Sequence, residues 1–371
     1  MASMKATRSS VLLAVVLCIA SVLAQRADRP PQPPGSFANL VAGLSERPGQ
    51  FDTDNLISNE RSYLHVIPQL RALAVHSGRT VYLGVGPDTN FSYIAHLRPS
   101  LAIVIDIRRE NLLLHLLFKA LFAEARGRVE YLAMLTGRPA PAAVAEWRTR
   151  SIADIVEYID RTPPLVEGDL RATRDRLARL IDTFGVPLTD SDRTTIDRFH
   201  RRFIAEGLSL QFNTFGRPPQ YDYPDLRGLL LEVDRQGVRR SYLASEDDFQ
   251  FVKRMQGADQ ILPIVGDISG PTALAAVARF LSQGNLQVAA FYTSNVEFYL
   301  FRGDRFADFI ANLRRLPRAP GALIVRSVFA AGGAGAVRVA GYNSASVTQP
   351  IDTLVDGYAR GGFRDYRDLV R

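Results

Sequence analysis

Two short, almost wholly apolar runs constrain this chain more than any other feature: Thr80–Val85 (TVYLGV) and Leu101–Asp106 (LAIVID), with one short helical stretch between them. A strand exposed on one face alternates apolar and polar residues. These runs do not alternate, so each is expected to be covered on both faces, as in a parallel sheet. Three more runs of the same kind follow at Gln260–Gly266, Gln287–Tyr292 and Ala322–Val328. Helical patterns lie between them. Asn111–Ala125 is apolar nearly all round and predicts a buried helix; Pro271–Gln283 has Pro in its first turn and Gly284 past its end. Asp304–Leu316 sets Phe306, Phe309, Ile310 and Leu313 on one face. The alternation predicts an α/β fold with a doubly wound, mostly parallel, Rossmann-like sheet. A Gly-rich turn and another strand are expected within 331–344.

Between the second and third runs lie about 150 residues, far more than a crossover needs. The excess predicts a long, mainly helical insertion over 126–258. Its helices are expected over Ser151–Ile159, Leu170–Phe184, Asp190–Gly207 and Ser245–Gln256, with Ser245 and Asp248 as a capping pair.

The N-terminus has its own signature. Lys5 and Arg8 precede the apolar run Val11–Ala24, which is short for a membrane span of about 20 residues and reads as a secretory signal peptide over 1–24. The chain is then exported to the periplasm or secreted; the alternative is an inner-membrane anchor formed by residues 11–24. Cys18, the single Cys, lies in this segment, so cleavage before Gln25 leaves no disulfide, no thiol nucleophile and no Cys-based zinc site. Residues 25–36 are a Pro-rich linker, and the folded domain covers 37–371.

Charge bears on partners. The 45 basic and 38 acidic residues give a net +7, but only Lys5, Lys119 and Lys253 are lysines and the arginines are scattered among acids. No basic run with interleaved aromatics occurs, which argues against a nucleic-acid partner. The expected partner is an unknown small molecule, with membrane contact only through the signal segment if uncleaved.

The chemistry concentrates over Val81–Ile107. The first strand runs into Gly84-Val85-Gly86, and the second ends in Asp106, 22 residues after Gly84. Glycines let backbone approach a ligand, and a carboxylate at the second strand tip can accept ribose hydroxyls. Thr89 stands at the third Gly position of the dinucleotide fingerprint, and Pro87 removes an N–H, so a pyrophosphate is disfavoured. Asp267 follows the third strand; Thr293, Ser294 and Asn295 follow the fourth, with Glu297 just beyond. In a doubly wound sheet all these tips gather at one carboxyl edge.

Each residue has a plainer reading. Asp106 caps the next turn if it does not hold a ribose, and Asp267 belongs to an ordinary turn if it does not meet a ligand. Asn55, Asn59 and Glu60 either fold over the pocket as a lid or cap a helix. Glu246 and Asp247 are helix-start acids before they are general bases, and Arg108 and Arg109 are an exposed helix start if they do not meet an anion. The five histidines show no metal spacing, and no metal is expected. Ser269 sits one place too late for a hydrolase nucleophile elbow.

This order of strands and tips resembles the class I S-adenosylmethionine-dependent methyltransferase fold. The resemblance implies that Gly84 and Gly86 face the amino-acid part of the cofactor, that Asp106 holds its ribose and Asp267 its adenine. It further implies that Thr293, Ser294 and Asn295 face the substrate, where Glu60 joins them if its segment is a lid; it assigns no catalytic residue. The chain departs from the pattern in lacking an acid before Gly84, in Asp88 and in the long insertion. The blocks Asp54–Tyr63, Gly84–Ile94, Asp106–Leu114, Tyr242–Phe249, Val265–Gly270 and Phe291–Leu300 are similar to an uncharacterised bacterial family with this methyltransferase-like core, a similarity that brings no activity with it. Two functions are therefore expected: methyl transfer from S-adenosylmethionine to an unknown substrate, or non-catalytic binding of a small molecule or partner in the same cleft. Export favours the second, because the methyl donor is made and kept in the cytoplasm.

Overall fold

The computed structural model describes residues 36–73, 79–216, 222–329 and 339–370. The signal segment, Cys18 and the Pro-rich stretch up to residue 35 lie outside the described residues. A single six-stranded sheet organises the rest: β1 (Thr80–Val85), β2 (Leu101–Asp106), β3 (Ile261–Val265), β4 (Gln287–Ser294), β5 (Arg318–Phe329) and β6 (Ser344–Pro350). Their spatial order is β3-β2-β1-β4-β5-β6. All neighbours are parallel except β5 and β6. Every residue of β1 and β3 is buried, as strands covered on both faces require.

The five expected strands are present with small changes at their ends. β4 runs two residues past Tyr292, to Ser294, and β5 begins four residues early with the half-exposed stretch Arg318–Gly321. The sixth strand begins only at Ser344; residues 330–338 of the Gly-rich segment fall outside the described residues.

Helix α1 (Phe37–Leu44) precedes the sheet, α2 (Ile67–Leu73) leads into β1, and α3 (Thr89–Leu97) joins β1 to β2. After β2 comes α4 (Arg109–Glu124), in which every residue from Asn111 to Phe122 is buried. That explains its all-round apolar sequence. It packs on β2 and β3 and also meets the insertion, which contributes α5 (Arg128–Thr136), α6 (Ile152–Arg161), α7 (Glu167–Asp182), α8 (Asp190–Glu206), α9 (Leu226–Leu231) and α10 (Glu246–Gly257). Phe118 of α4 meets Phe203 of α8 edge to face, with ring centroids 6.1 Å apart. Ser151 and Thr189 open α6 and α8 with reciprocal capping boxes, and Gly207 closes α8 at positive φ. Ser245 accepts from the Asp248 amide at the start of α10, as its sequence predicts.

Beyond β3 come α11 (Ala273–Gln283), α12 (Val296–Arg302), α13 (Phe306–Arg315), α14 (Ile351–Ala359) and α15 (Tyr366–Leu369). Two helices start later than their patterns suggest. Pro271 lies outside α11, and the Ala273 amide instead donates to Glu46 Oε2 at 3.0 Å. Asp304 lies before α13 at φ +55°, a left-handed backbone that cannot continue a helix. No described helix is long and apolar enough to cross a membrane.

Candidate functional site

The segment Ser45–Ser62 organises the carboxyl edge, because it crosses the strand tips in the order in which the strands lie in the sheet. At β3, the Glu46 amide donates to Val265 O at 2.9 Å, and its carboxylate accepts from the Asp267 amide at 2.7 Å. At β2, the Gly49 amide donates to Ile107 O at 2.8 Å. A Cβ on Gly49 would lie 2.6 Å from the Ile107 side chain, so any larger residue there would have to push Ile107 aside. Asn55 reaches the Gly86 turn after β1. Glu60 meets the ends of β4 and β5, and Ser62 bonds the backbone of Ser344 and Ser346 in β6. The segment is a strap, tied to the insertion as well. The amide of Asp54 donates to Asn213 O and that of Phe215 to Asp52 O.

At the β1 tip, Gly84 has no room for a side chain: a Cβ would stand 1.9 Å from Asn90 Oδ1 and 2.6 Å from the Tyr82 hydroxyl. Asn90 holds the turn by donating to the carbonyls of Val85, Gly86 and Pro87. Gly86 sits at φ +81°, which favours glycine. Its carbonyl accepts from His115 Nε2 at 2.9 Å; burial, opposed by that bond, lowers the imidazole to about 4, so the ring is neutral. His115 Nδ1 and both amide atoms of Asn111, one turn earlier on α4, are buried without a partner among the described residues.

Asp88 is also buried there, and desolvation raises its carboxyl from 3.8 to about 6 against a hydrogen bond from the Tyr242 hydroxyl. The folded state holds this proton more tightly than the unfolded one, so stability falls as pH rises from about 4 to about 6. Asp88→Asn should remove that slope and raise stability at pH 7 by up to about 3 kcal/mol, read from denaturant unfolding across this pH range.

At the β2 tip, Asp106 accepts three hydrogen bonds, all from Arg108. Its Oδ1 accepts from the amide of Arg108 at 2.9 Å and from Nε at 3.0 Å, and Oδ2 accepts from Nη2 at 2.7 Å. The turn-capping reading of Asp106 thus matches its contacts. Arg108 is not an exposed helix start: it is 5% exposed, and Nη1 donates to the Thr53 and Asp54 carbonyls of the strap. With its donors matched by acceptors on two segments, the guanidinium can be buried. Arg109 pairs with Asp192 of α8 instead.

At β3, Asp267 accepts from the Ser269 amide and hydroxyl at 2.8 and 2.7 Å, and from Arg305 Nη1 at 2.7 Å. At β4, Thr293 is buried and donates to Val325 O, Ser294 adopts φ +53°, and Asn295 precedes α12. Ser294 donates to Glu60 Oε1, while Tyr292 (2.5 Å) and Ser327 donate to Oε2. Burial pushes the Glu60 carboxyl up and the three hydroxyls pull it partly back. Glu60 caps no helix; the 3-10 turn begins at Tyr63, and Glu60 fastens the strap. Beside it, Glu297 and Arg326 form a buried two-bond ion pair at 2.6 and 3.1 Å.

The open space lies between the strap and α8. A cavity of 360 Å³ is lined by Gly49–Phe51, Thr53, Asp54 and Leu56 from the strap, Arg108 and Glu110 from around the start of α4, Arg198, Phe199 and Arg202 from α8, and Phe215. Arg202 pairs with Asp54 and Glu206. Sequence reasoning missed this site; the three arginines and three phenylalanines that line it come from four separate stretches of chain. Among the described residues no group of three or more His, Cys, Asp or Glu side chains could hold a metal ion.

A family model described as a domain of unknown function (DUF7790) matches residues 56–178 and 225–356. The chain belongs to that family. No curated protein matches it. The DUF7790 match includes Glu60, Gly84, Gly86, Asp106, Asp267 and Thr293–Asn295, and thus all the strand tips. It passes over 179–224, which supplies Arg198, Phe199, Arg202 and Phe215 of the cavity, and stops short of Phe51 and Asp54.

Proposed function

We propose that this chain is an exported, non-catalytic protein that binds a small molecule in the 360 Å³ cavity between its strap and α8. Its core is read as a doubly wound, methyltransferase-like sheet, supported by a strand order that runs outward from β1 and β4 and ends in one antiparallel strand. One observation carries the functional half: both oxygens of Asp106 are taken by Arg108. S-adenosylmethionine would place its ribose on that carboxylate, and three of the group's roughly four acceptor sites are already used by Arg108, which weighs against the cofactor here. Asp267 is likewise committed to Arg305 and Ser269, and Glu46 fills the amides after β3. Methyl transfer is therefore the weaker reading at this edge, whereas the cavity has the size of a small-ligand site, about 300–1,000 Å³.

Thermal scanning of the full chain against a set of small metabolites tests this. Ligands that stabilise it should lose their effect in Phe51→Ala and Phe215→Ala, two exposed positions where the fold tolerates truncation. Stabilisation indifferent to both variants would move the site elsewhere. The export half rests on the N-terminal pattern: sequencing the natively expressed protein should give Gln25 first, and a retained Met1 would contradict cleavage.

A further inference from the structure

The charges lining the cavity divide into committed and uncommitted groups. Arg108 is taken by Asp106, and Arg202 and Asp54 take each other. Arg198 of α8 and Glu110 of α4 remain. Among the described residues neither makes a hydrogen bond or ion pair, although both line the same space. Arg198 lies over the Phe199 ring at 5.4 Å, and Glu110 acts only through space on Arg108 and Arg109. The same mouth gathers apolar surface. Of the five exposed large hydrophobic residues described, Phe51 (39%) and Phe215 (58%) line the cavity, and Tyr299 (40%) packs edge-on against Phe51. Such clustering marks binding surfaces.

A simple anion in this cavity would face Glu110, and a simple cation would face Arg198; a neutral apolar molecule would leave both unused. We propose that the cavity binds an aromatic α-amino acid, its carboxylate on Arg198, its ammonium on Glu110 and its ring among Phe51, Phe199 and Phe215. This deepens the binding-protein reading and rests on it. A volume of 360 Å³, near the lower end for ligand sites, suits one amino acid rather than a peptide.

The test is calorimetry of the full chain with four probes: L-phenylalanine, phenethylamine without the carboxylate, hydrocinnamate without the ammonium, and glycine without the ring. L-phenylalanine should bind, and each of the others should bind at least about tenfold more weakly, the effect of losing one charge-assisted bond or the apolar contact. Arg198→Gln should weaken L-phenylalanine about tenfold and leave phenethylamine unchanged; Glu110→Gln should weaken it similarly and leave hydrocinnamate unchanged. Both residues are exposed, so folding survives either change. Phenethylamine or hydrocinnamate binding as tightly as L-phenylalanine would overturn the inference, as would no binding by any probe. If another compound then binds and is lost in Phe215→Ala, only the amino-acid assignment falls; if no ligand responds to the cavity variants, the binding-site reading falls with it.

Discussion

Glu60→Ala is expected to lower stability by about 3–5 kcal/mol, because it leaves two buried hydroxyl donors and the half-buried Ser294 hydroxyl without their acceptor and opens a void where a 1% exposed side chain stood. Ser294 adds to the loss, since its left-handed backbone is held in place by that same carboxylate. Glu60→Gln should cost far less. An amide keeps the size and one acceptor, and the upward shift of the Glu60 carboxyl shows that burial favours an uncharged group there. Chemical denaturation of the two variants separates these outcomes. Equal losses would mean that charge, rather than hydrogen bonding and packing, holds the strap at β4 and β5.

The second large effect falls on the middle of the strap. Arg108→Ala should cost about 3–5 kcal/mol, the usual result of stranding one member of a buried ion pair. It would leave Asp106, whose side chain is 9% exposed, without its counter-charge and would free the Thr53 and Asp54 carbonyls. Adding Asp106→Asn should recover part of the loss by removing the stranded charge, a coupling that unfolding measurements on both variants would read directly. A loss below about 1 kcal/mol would instead indicate a solvated pair of the kind found on protein surfaces.

The sheet could be read from the sequence because its strands advertise themselves: a run such as LAIVID, apolar at every position but the last, has few homes other than the middle of a covered sheet. The buried helix α4 was legible for the same reason. The strap was not. Its contacts join residues more than 200 positions apart, Glu46 to Asp267 and Glu60 to Tyr292, Ser294 and Ser327, and they run through backbone groups and hydroxyls that leave no periodic pattern. Arg108 misled for a related reason. An arginine at a helix start is ordinarily solvated, and only the approach of Thr53 and Asp54 makes its burial possible. Of the eight residues singled out at the strand tips, the structure gathers Glu60 with Ser294, while Asp106 and Asp267 are each closed by an arginine. The cavity needed two distant segments to be brought together, as Thr53 and Thr214 are in an isolated antiparallel bridge.

If, as proposed, this edge is filled by the chain's own groups, a nucleoside cofactor has no site there. Titrating S-adenosylmethionine into the full chain by calorimetry tests it most directly. No saturable heat is expected at millimolar cofactor; saturable binding that Asp106→Ala abolishes would place the nucleoside at this edge after all.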